Sequence, residues 1–123
     1  MRPHESLNVW KRAIEFVLRV YQLTKRFPRE EMFALTSQMR RAAVSVAANI
    51  AEGAGRRSQK EFVHFLSNAQ GSSSELATEL LIAWKLGYLK ESDYQAGAAE
   101  LEDIGRMIVG LSKKVSRSTA ACP

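Results

Sequence analysis

The sequence predicts an all-α protein, an antiparallel up-down-up-down four-helix bundle. Apolar residues recur at three- and four-residue steps in four segments, which places them along one face of a helix in each segment. The β-branched residues never alternate over a useful length between turn signals, so no strand is predicted. Short connections make successive helices antiparallel neighbours. We expect an elongated bundle, because the third helix alone would span about 40 Å at 1.5 Å per residue.

The first helix is predicted over residues 6–26. A polar line lies on one of its faces and consists of Arg12, Glu15, Arg19, Gln22 and Arg26. The apolar line on another face consists of Trp10, Ala13, Ile14, Val17 and Tyr21. Phe27-Pro28 ends the helix, because the residue before a proline is disfavoured in helical geometry, while Pro28 suits the first turn of the next helix.

The second helix is predicted over residues 30–53. Glu30 and Glu31 would lie in its first turn, where the helix dipole favours carboxylates. Gly53, followed closely by Gly55, provides the stop. The apolar line between these ends consists of Met32, Leu35, Met39, Ala43, Val46 and Ile50.

The third helix is predicted to begin at Ser58, because Ser58 and Glu61 match a capping box. Gly87 closes it. Its apolar face consists of Phe62, Phe65, Leu66, Ala69, Ser73, Leu76, Leu80 and Ala83.

The fourth helix follows a second capping pattern, formed by Ser92 with Gln95. Its apolar line consists of Leu101, Ile104, Ile108, Leu111 and Val115. The sequence therefore predicts one domain over residues 1–115. The tail, residues 116–123, has no periodicity and is expected to be frayed.

Small residues dominate residues 37–53, which read SQMRRAAVSVAANIAEG. Gly71 lies inside the third helix, where glycine costs about 1 kcal/mol relative to alanine. We interpret both features as close packing, in which AAVSVAA of the second helix meets AQGSSS of the third.

A polar line borders this small-residue segment and consists of Gln38, Arg41, Ser45, Asn49 and Glu52. Burying a polar group without a partner costs several kcal/mol, so Asn49 and Glu52 are expected to be hydrogen-bonded or paired. The candidate partners are Arg40, Arg41, Glu75 and Glu79. We predict a structural role for this set, with a direct functional role as the alternative.

The composition, 46% hydrophobic and 25% charged, is typical of a soluble globular domain. The chain has no apolar run long enough to span a membrane, and its start, MRPHESL, lacks the apolar core of a secretory signal. The single cysteine, Cys122, cannot form an intrachain disulfide, which agrees with a reducing compartment. A cytoplasmic location is predicted, without a membrane.

An enzyme is not predicted. His4 and His64 are the only histidines, and neither falls in a ligand or nucleophile pattern with Cys122. Glu61 and His64 fit the Glu-x-x-His spacing of di-iron bundles, but those sites use the motif twice. The stretch GAGRRS lacks the GK[ST] ending of a phosphate-binding loop. No catalytic residue, metal, cofactor or small-molecule substrate is therefore predicted.

Positive charge is concentrated in the first half of the chain. Residues 1–60 contain twelve Lys or Arg against five acids, whereas residues 61–123 contain six against eight. The predicted nucleic-acid-binding residues are a cluster at the start of the third helix and a stripe on the first: Arg56, Arg57, Lys60, Arg12, Arg19 and Arg26. Such contacts with RNA or DNA backbone would be mostly independent of sequence. The alternative is an ordinary solvated basic face.

Three ordered blocks resemble a known family: VYQLTKRFPREE, SQMRRAAVSVAANIAEGAGRRSQKEF and GSSSELATELLIAWKLGYL. They are similar to the bacterial four-helix-bundle proteins encoded by intervening sequences of 23S ribosomal RNA genes, the S23-like family. A distant relative is the accessory variability determinant protein of diversity-generating retroelements. The resemblance implies a ring or barrel of several subunits, a homopentamer, with a basic surface suited to nucleic acid.

The sequence also favours self-association independently of the resemblance. The third helix carries Ala77, Leu81 and Trp84 beside its first apolar face, and a helix that is apolar on two sides must bury both. We therefore predict a homo-oligomer that binds nucleic acid. The alternative is an oligomeric scaffold or adaptor that binds another protein and has no nucleic-acid role.

Overall fold

The computed structural model describes residues 2–121, with side chains described through Arg117. Within that range the chain forms four α-helices and two short 3-10 helices, and it contains no strand, so the all-α prediction is confirmed. The 3-10 helices are Pro3–Ser6 and Arg29–Glu31. The α-helices are α1 (Asn8–Thr24), α2 (Leu35–Ala54), α3 (Gln59–Lys85) and α4 (Glu91–Ala121).

The four helices pack around one apolar core. Each contacts two others: α1 lies against α2 and α4, and α3 lies against α2 and α4. Over the described residues no close backbone approach joins α1 to α3 or α2 to α4, so the four helices follow one another in chain order around the core. The largest fully buried side chains are Phe16, Val20, Met39, Ile50, Leu66, Leu76, Leu80, Ile104 and Ile108.

The predicted apolar line of α1 is wrong in part. Ile14 and Tyr21 are 37% and 40% exposed. The buried line of α1 consists of Val9, Ala13, Phe16, Val20 and Leu23. Two adjacent apolar lines satisfy the helical period in this segment, and only the one that carries Phe16 and Val20 faces the core.

The predicted start of α2 at residue 30 is also wrong. Residues 29–31 form a 3-10 helix, α2 begins at Leu35, and Met32 is exposed instead of buried. Glu31 explains the interruption, because its carboxylate accepts hydrogen bonds from the Tyr88 hydroxyl at 2.7 Å and from the Leu35 backbone N–H at 3.4 Å. This carboxylate joins the α1–α2 connection to the α3–α4 connection.

The predicted ends of α3 are confirmed. The Ser58 hydroxyl accepts a hydrogen bond from the backbone N–H of Glu61 at 3.0 Å, which caps the helix. Gly87 has φ +83°, a left-handed conformation that glycine adopts without strain. The N–H groups of Gly87 and Tyr88 bond to the carbonyls of Trp84 and Ala83, each at 2.9 Å, which is the Schellman arrangement.

The ends of α4 differ from the prediction. The helix begins at Glu91, so Ser92 lies inside the first turn and is not the N-cap. Its backbone remains helical through Ala121, beyond the predicted end of the domain at residue 115, because residues 116–121 contain no glycine or proline to stop it. Cys122 and the last residue of the expected tail lie outside the described residues.

The close approach of α2 and α3 is present, but it depends on a different glycine from the one predicted. A Cβ on Gly53 would lie 2.7 Å from the Phe65 Cβ, a distance that real Cβ atoms essentially never show. The hydroxyls of Ser45 and Ser72 meet at 2.8 Å. Gly71, by contrast, is exposed and has no neighbouring atom within 4 Å of an added Cβ. Close packing therefore explains Gly53 and does not explain Gly71.

These two glycines give a matched pair of stability tests. Gly53→Ala should lower the free energy of unfolding by about 1–3 kcal/mol, because the Phe65 Cβ belongs to a helix and cannot move aside by a rotamer change. Gly71→Ala should raise it by up to about 1 kcal/mol through helix propensity alone. Urea titration followed by far-UV circular dichroism measures both, and a Gly53→Ala protein as stable as Gly71→Ala would exclude the close approach.

Candidate nucleic-acid interface

The α2–α3 loop exposes three predicted contact residues. Arg56 is held by its surroundings, because it pairs with Glu52 at 2.9 Å and its guanidinium lies 4.8 Å from the centre of the Phe65 ring. Arg57 and Lys60 are exposed and have no ion pair within the described side chains. Arg57 and Lys60 are therefore the loop cations most available to an external phosphate.

The predicted stripe on α1 does not form one surface with the loop. Arg12 lies 3.7 Å from Asp103 and donates to the Met107 sulfur at 3.8 Å. Arg19 lies 3.5 Å from Glu100, so both arginines connect α1 to α4. Arg26 is exposed and lies beyond α1, near the α3–α4 connection. The carboxylate partners are too distant in sequence for helix periodicity to indicate them.

Sequence reasoning missed three cations at the C-terminal part of α4. The two helices α3 and α4 run in opposite directions. Trp84, near the end of α3, stacks on Tyr94, near the start of α4, whereas Gln70, earlier in α3, lines the same hollow as Val109, later in α4. Continued at 1.5 Å per residue, this register places Lys113 to Arg117 beside the start of α3.

The exposed cations of α4 thus lie near those of the α2–α3 loop. We call this set the basic end: Arg57, Lys60, Lys113, Lys114 and Arg117. The carboxylates nearest to the loop are already engaged, since Glu52 pairs with Arg56 and Glu61 accepts from the Ser58 hydroxyl at 3.3 Å. The end therefore carries an excess of positive charge.

The polar line is hydrogen-bonded, although with other partners than predicted. Asn49 donates from its amide nitrogen to the Ser45 carbonyl at 2.8 Å and to the Ser45 hydroxyl at 3.0 Å. Arg40 donates to the Thr24 hydroxyl at 2.9 Å and lies over the Tyr21 ring at 4.5 Å. Arg41 is exposed, and among the described side chains it has no carboxylate partner. Among the described side chains, neither Asn49 nor Glu52 pairs with the predicted candidates, and Glu52 pairs with Arg56 instead.

Glu79 is instead a buried carboxyl beside another carboxyl. It is 5% exposed, and its Oε1 has no hydrogen-bond partner. Burial, followed by the charge of Glu75 and a hydrogen bond with it, raises the pKa of Glu79 from 4.5 to about 7. Near neutral pH a large fraction of Glu79 is therefore protonated and uncharged.

A carboxyl whose pKa is higher in the folded chain binds more protons there than in the unfolded chain, so it favours folding at low pH. The free energy of unfolding should fall as the pH rises from about 4.5 through about 7, by at most about 3 kcal/mol. Glu79→Gln resembles the protonated form and should abolish this fall. It should match the wild type near pH 5 and exceed it at pH 8 in urea titration. If the two proteins differ in free energy of unfolding by the same amount at pH 5 and at pH 8, Glu79 is not a buried carboxyl with a raised pKa.

Two further properties bear on the kind of site. Among the described residues no group of three or more His, Cys, Asp or Glu is arranged to hold a metal ion. None of the helices, over the same residues, has the length and apolar character that crossing a bilayer requires.

Comparison with known proteins places the chain in a family. The profile of the family described as "23S rRNA-intervening sequence protein" matches residues 5–110. The chain belongs to this family. The resemblance seen in the three sequence blocks is thereby confirmed. No curated protein matches the chain.

A solved structure is similar to this member of the 23S rRNA-intervening sequence protein family. It is a protein of unknown function from the S23 ribosomal protein family of Bacteroides thetaiotaomicron, with 24% sequence identity and a TM-score of 0.79. The match covers 85% of this chain and 95% of the other. At this identity the similarity shows the fold alone. The family name itself supplies no activity.

Proposed function

We propose that this chain is a non-enzymatic, oligomeric protein that binds the backbone of RNA or DNA through its basic end. The exposed, unpaired cations of that end carry the proposal. Lys and Arg are the side chains that contact phosphate most often, and contacts of this kind do not read the base sequence. The basic end offers such groups from two separate elements, the α2–α3 loop and α4.

An antiparallel order of the helices supports this placement. Between α2 and α3, Ser45 meets Ser72 while the later Gly53 meets the earlier Phe65. Between α1 and α4, Arg12 contacts Met107, whereas Arg19, later in α1, pairs with Glu100, earlier in α4. These two helices therefore also run in opposite directions. In an up-down-up-down bundle the α2–α3 loop and the end of α4 share one end.

The proposed assembly is a homo-oligomeric ring, with the pentamer implied by the family resemblance as the expected form. One basic end carries few cations, but several copies around a ring would present them together to one nucleic acid. Simultaneous contacts raise the apparent affinity without any new contact type. The affinity should fall steeply with salt, because each neutralised phosphate releases counterions.

Structured or duplex nucleic acid is the proposed ligand. Binding of single strands usually relies on aromatic platforms on which bases stack. Near the basic end, Phe62 and Phe65 are only partly exposed, and Phe65 is covered by the Arg56 guanidinium. A phosphate-lined groove requires no such platform, so backbone contact suits these residues better.

A protein-binding adaptor is the second candidate function. The α1–α2 connection carries Phe33, whose side chain is 94% exposed, beside the exposed Met32. Large exposed apolar side chains at one place are typical of protein contact surfaces. This connection lies against Tyr88, at the end of the bundle away from the α2–α3 loop.

Charge reversal tests the nucleic-acid proposal. The double variant Arg57→Glu/Lys60→Glu should bind a labelled RNA hairpin at least about tenfold more weakly at low salt, and the slope of log affinity against log salt should fall by about one for each lost phosphate contact. Fluorescence anisotropy at two or more salt concentrations measures both quantities. Arg56 is left unchanged, because it also pairs with Glu52 and covers Phe65.

The matched control is Lys25→Glu/Arg29→Glu, which reverses two exposed cations near the opposite end of the bundle. It changes the net charge by the same amount and should retain most of the affinity. Equal losses in the two double variants would assign binding to overall charge instead of the basic end. If the wild type does not bind RNA or duplex DNA even at low salt, the adaptor becomes the better proposal.

A further inference from the structure

The first turns of α3 carry His64, one of the two histidines of the chain. Its imidazole is exposed and makes no hydrogen bond or ion pair with another described residue. Its ring contact is with the adjacent Phe65, at 5.7 Å between ring centres. The other histidine, His4, is partly buried and packs edge-on against Trp10 at 4.8 Å. Packing within the described part of the chain therefore accounts for His4 and leaves the polar atoms of His64 open to an external group.

His64 lies in an open hollow beside the α2–α3 loop. The hollow has a volume of about 480 Å³ and is lined by Arg56, Lys60, Glu61, His64 and Phe65. Lys60 and His64 are four residues apart in α3, so their side chains leave the same face of the helix one turn apart. Because their Cβ atoms are then about 5–6 Å apart, both side chains can reach one phosphate group.

The charges that face His64 cancel one another while its imidazole is neutral. On the side of α2 and the loop, Arg56 pairs with Glu52 at 2.9 Å. On α3 itself, Lys60 and Glu61 contribute one charge of each sign. The other cations of the basic end do not line this hollow. A proton on His64 therefore supplies its one unmatched positive charge, and the protonation state of this residue decides how strongly the hollow attracts an anion.

We propose that His64 is a further phosphate-contacting residue of the basic end, and that protonation of its imidazole strengthens the binding of an RNA or DNA backbone. This inference rests on the proposed function and adds a dependence on pH to it. Histidine is the side chain whose charge ordinarily changes between pH 5 and 8. The imidazolium donates from both of its nitrogens, so it can bond a phosphate oxygen beside the Lys60 ammonium.

Proton binding and nucleic-acid binding reinforce each other in this arrangement. In the free protein the Lys60 ammonium opposes an imidazolium one turn away, because like charges at this spacing repel weakly. A phosphate held by both side chains offsets this repulsion and favours the imidazolium. The coupling is reciprocal, so protons that are taken up on binding require an affinity that rises as the pH falls from about 8 to about 5.

Two substitutions with opposite effects test the role of His64. His64→Gln removes the charge, whereas His64→Lys carries a charge that does not change in this range of pH. Fluorescence anisotropy with a labelled RNA hairpin that has no terminal phosphate, at about pH 5.5 and about pH 8 and equal ionic strength, gives a ratio of two affinities for each protein. This ratio should be about two- to fivefold smaller in His64→Gln than in the wild type, since one exposed ion pair contributes up to about fivefold.

His64→Lys distinguishes a phosphate contact from a structural role. At about pH 8 it should bind the hairpin at least about twofold more tightly than the wild type, because its charge is already present. A permanent charge would not replace a side chain needed only for packing. In the wild type the slope of log affinity against log salt should be steeper at the lower pH by about one, and this difference should be lost in His64→Gln. A His64→Lys protein that binds no more tightly than the wild type at the higher pH would overturn the proposal.

His4→Gln and Glu79→Gln are the matched controls. His4 does not line the hollow. Glu79 has a pKa of about 7, but it lies about 22 Å further along α3 at 1.5 Å per residue, beyond the range of an unscreened charge at physiological salt. Both controls should keep the affinity ratio of the wild type. An unchanged ratio in His64→Gln, or an equal loss in His4→Gln, would overturn the assignment of His64.

The same measurements separate this inference from the proposed function. If the wild type binds RNA and Arg57→Glu/Lys60→Glu weakens binding, but His64→Gln leaves the affinity ratio unchanged, the role of His64 alone is refuted. If the wild type binds neither RNA nor duplex DNA at either pH, both proposals fail. Because His64 is exposed, circular dichroism should show the same helix content in His64→Gln and His64→Lys as in the wild type.

Discussion

The close packing of α2 against α3 is the constraint on which the rest of the structure depends. At Gly53 only a hydrogen atom fits against Phe65, and at Ser45 and Ser72 the side chains are short enough for their hydroxyls to meet at 2.8 Å. Small residues thus replace the leucines expected of a core helix, and the two backbones come near each other. The same contact fixes the α2–α3 loop, and with it the position of the cations at the start of α3.

This constraint has a cost elsewhere in the bundle. A seam lined by alanine and serine buries little apolar surface, so the largest buried side chains come mainly from other positions, such as Phe16, Leu76 and Ile108. α1 carries two adjacent apolar lines, but the narrow core has room for only one of them. Phe16 and Val20 are buried, and Leu18 remains outside. Leu18 lies on the face of α1 opposite Phe16 and Val20, so a helix that buries these two residues leaves Leu18 exposed.

Local signals in the sequence predicted local features well. The Ser58 cap, the Gly87 terminus and the apolar faces of α3 and α4 each depend on residues a few positions apart. Features that depend on distant residues could not be predicted in this way. Helix periodicity does not decide which of two apolar lines of α1 faces the core, nor does it indicate that Gly53 meets Phe65 while Gly71 meets solvent. The α4 part of the basic end was missed for the same reason, since Lys113 and Lys114 belong to the more acidic half of the chain.

The distribution of charge within the fold matters more for the proposed binding than the net charge of +5. Arg12 and Arg19 lie beside Asp103 and Glu100, so at a distance their charges are largely cancelled. The cations of the basic end have no such neighbours, and their field extends into solvent. An approaching polyanion would therefore be attracted to the basic end and not to the paired arginines of α1. This asymmetry orients the ligand before any contact forms, and in a ring it would direct the ligand to one rim.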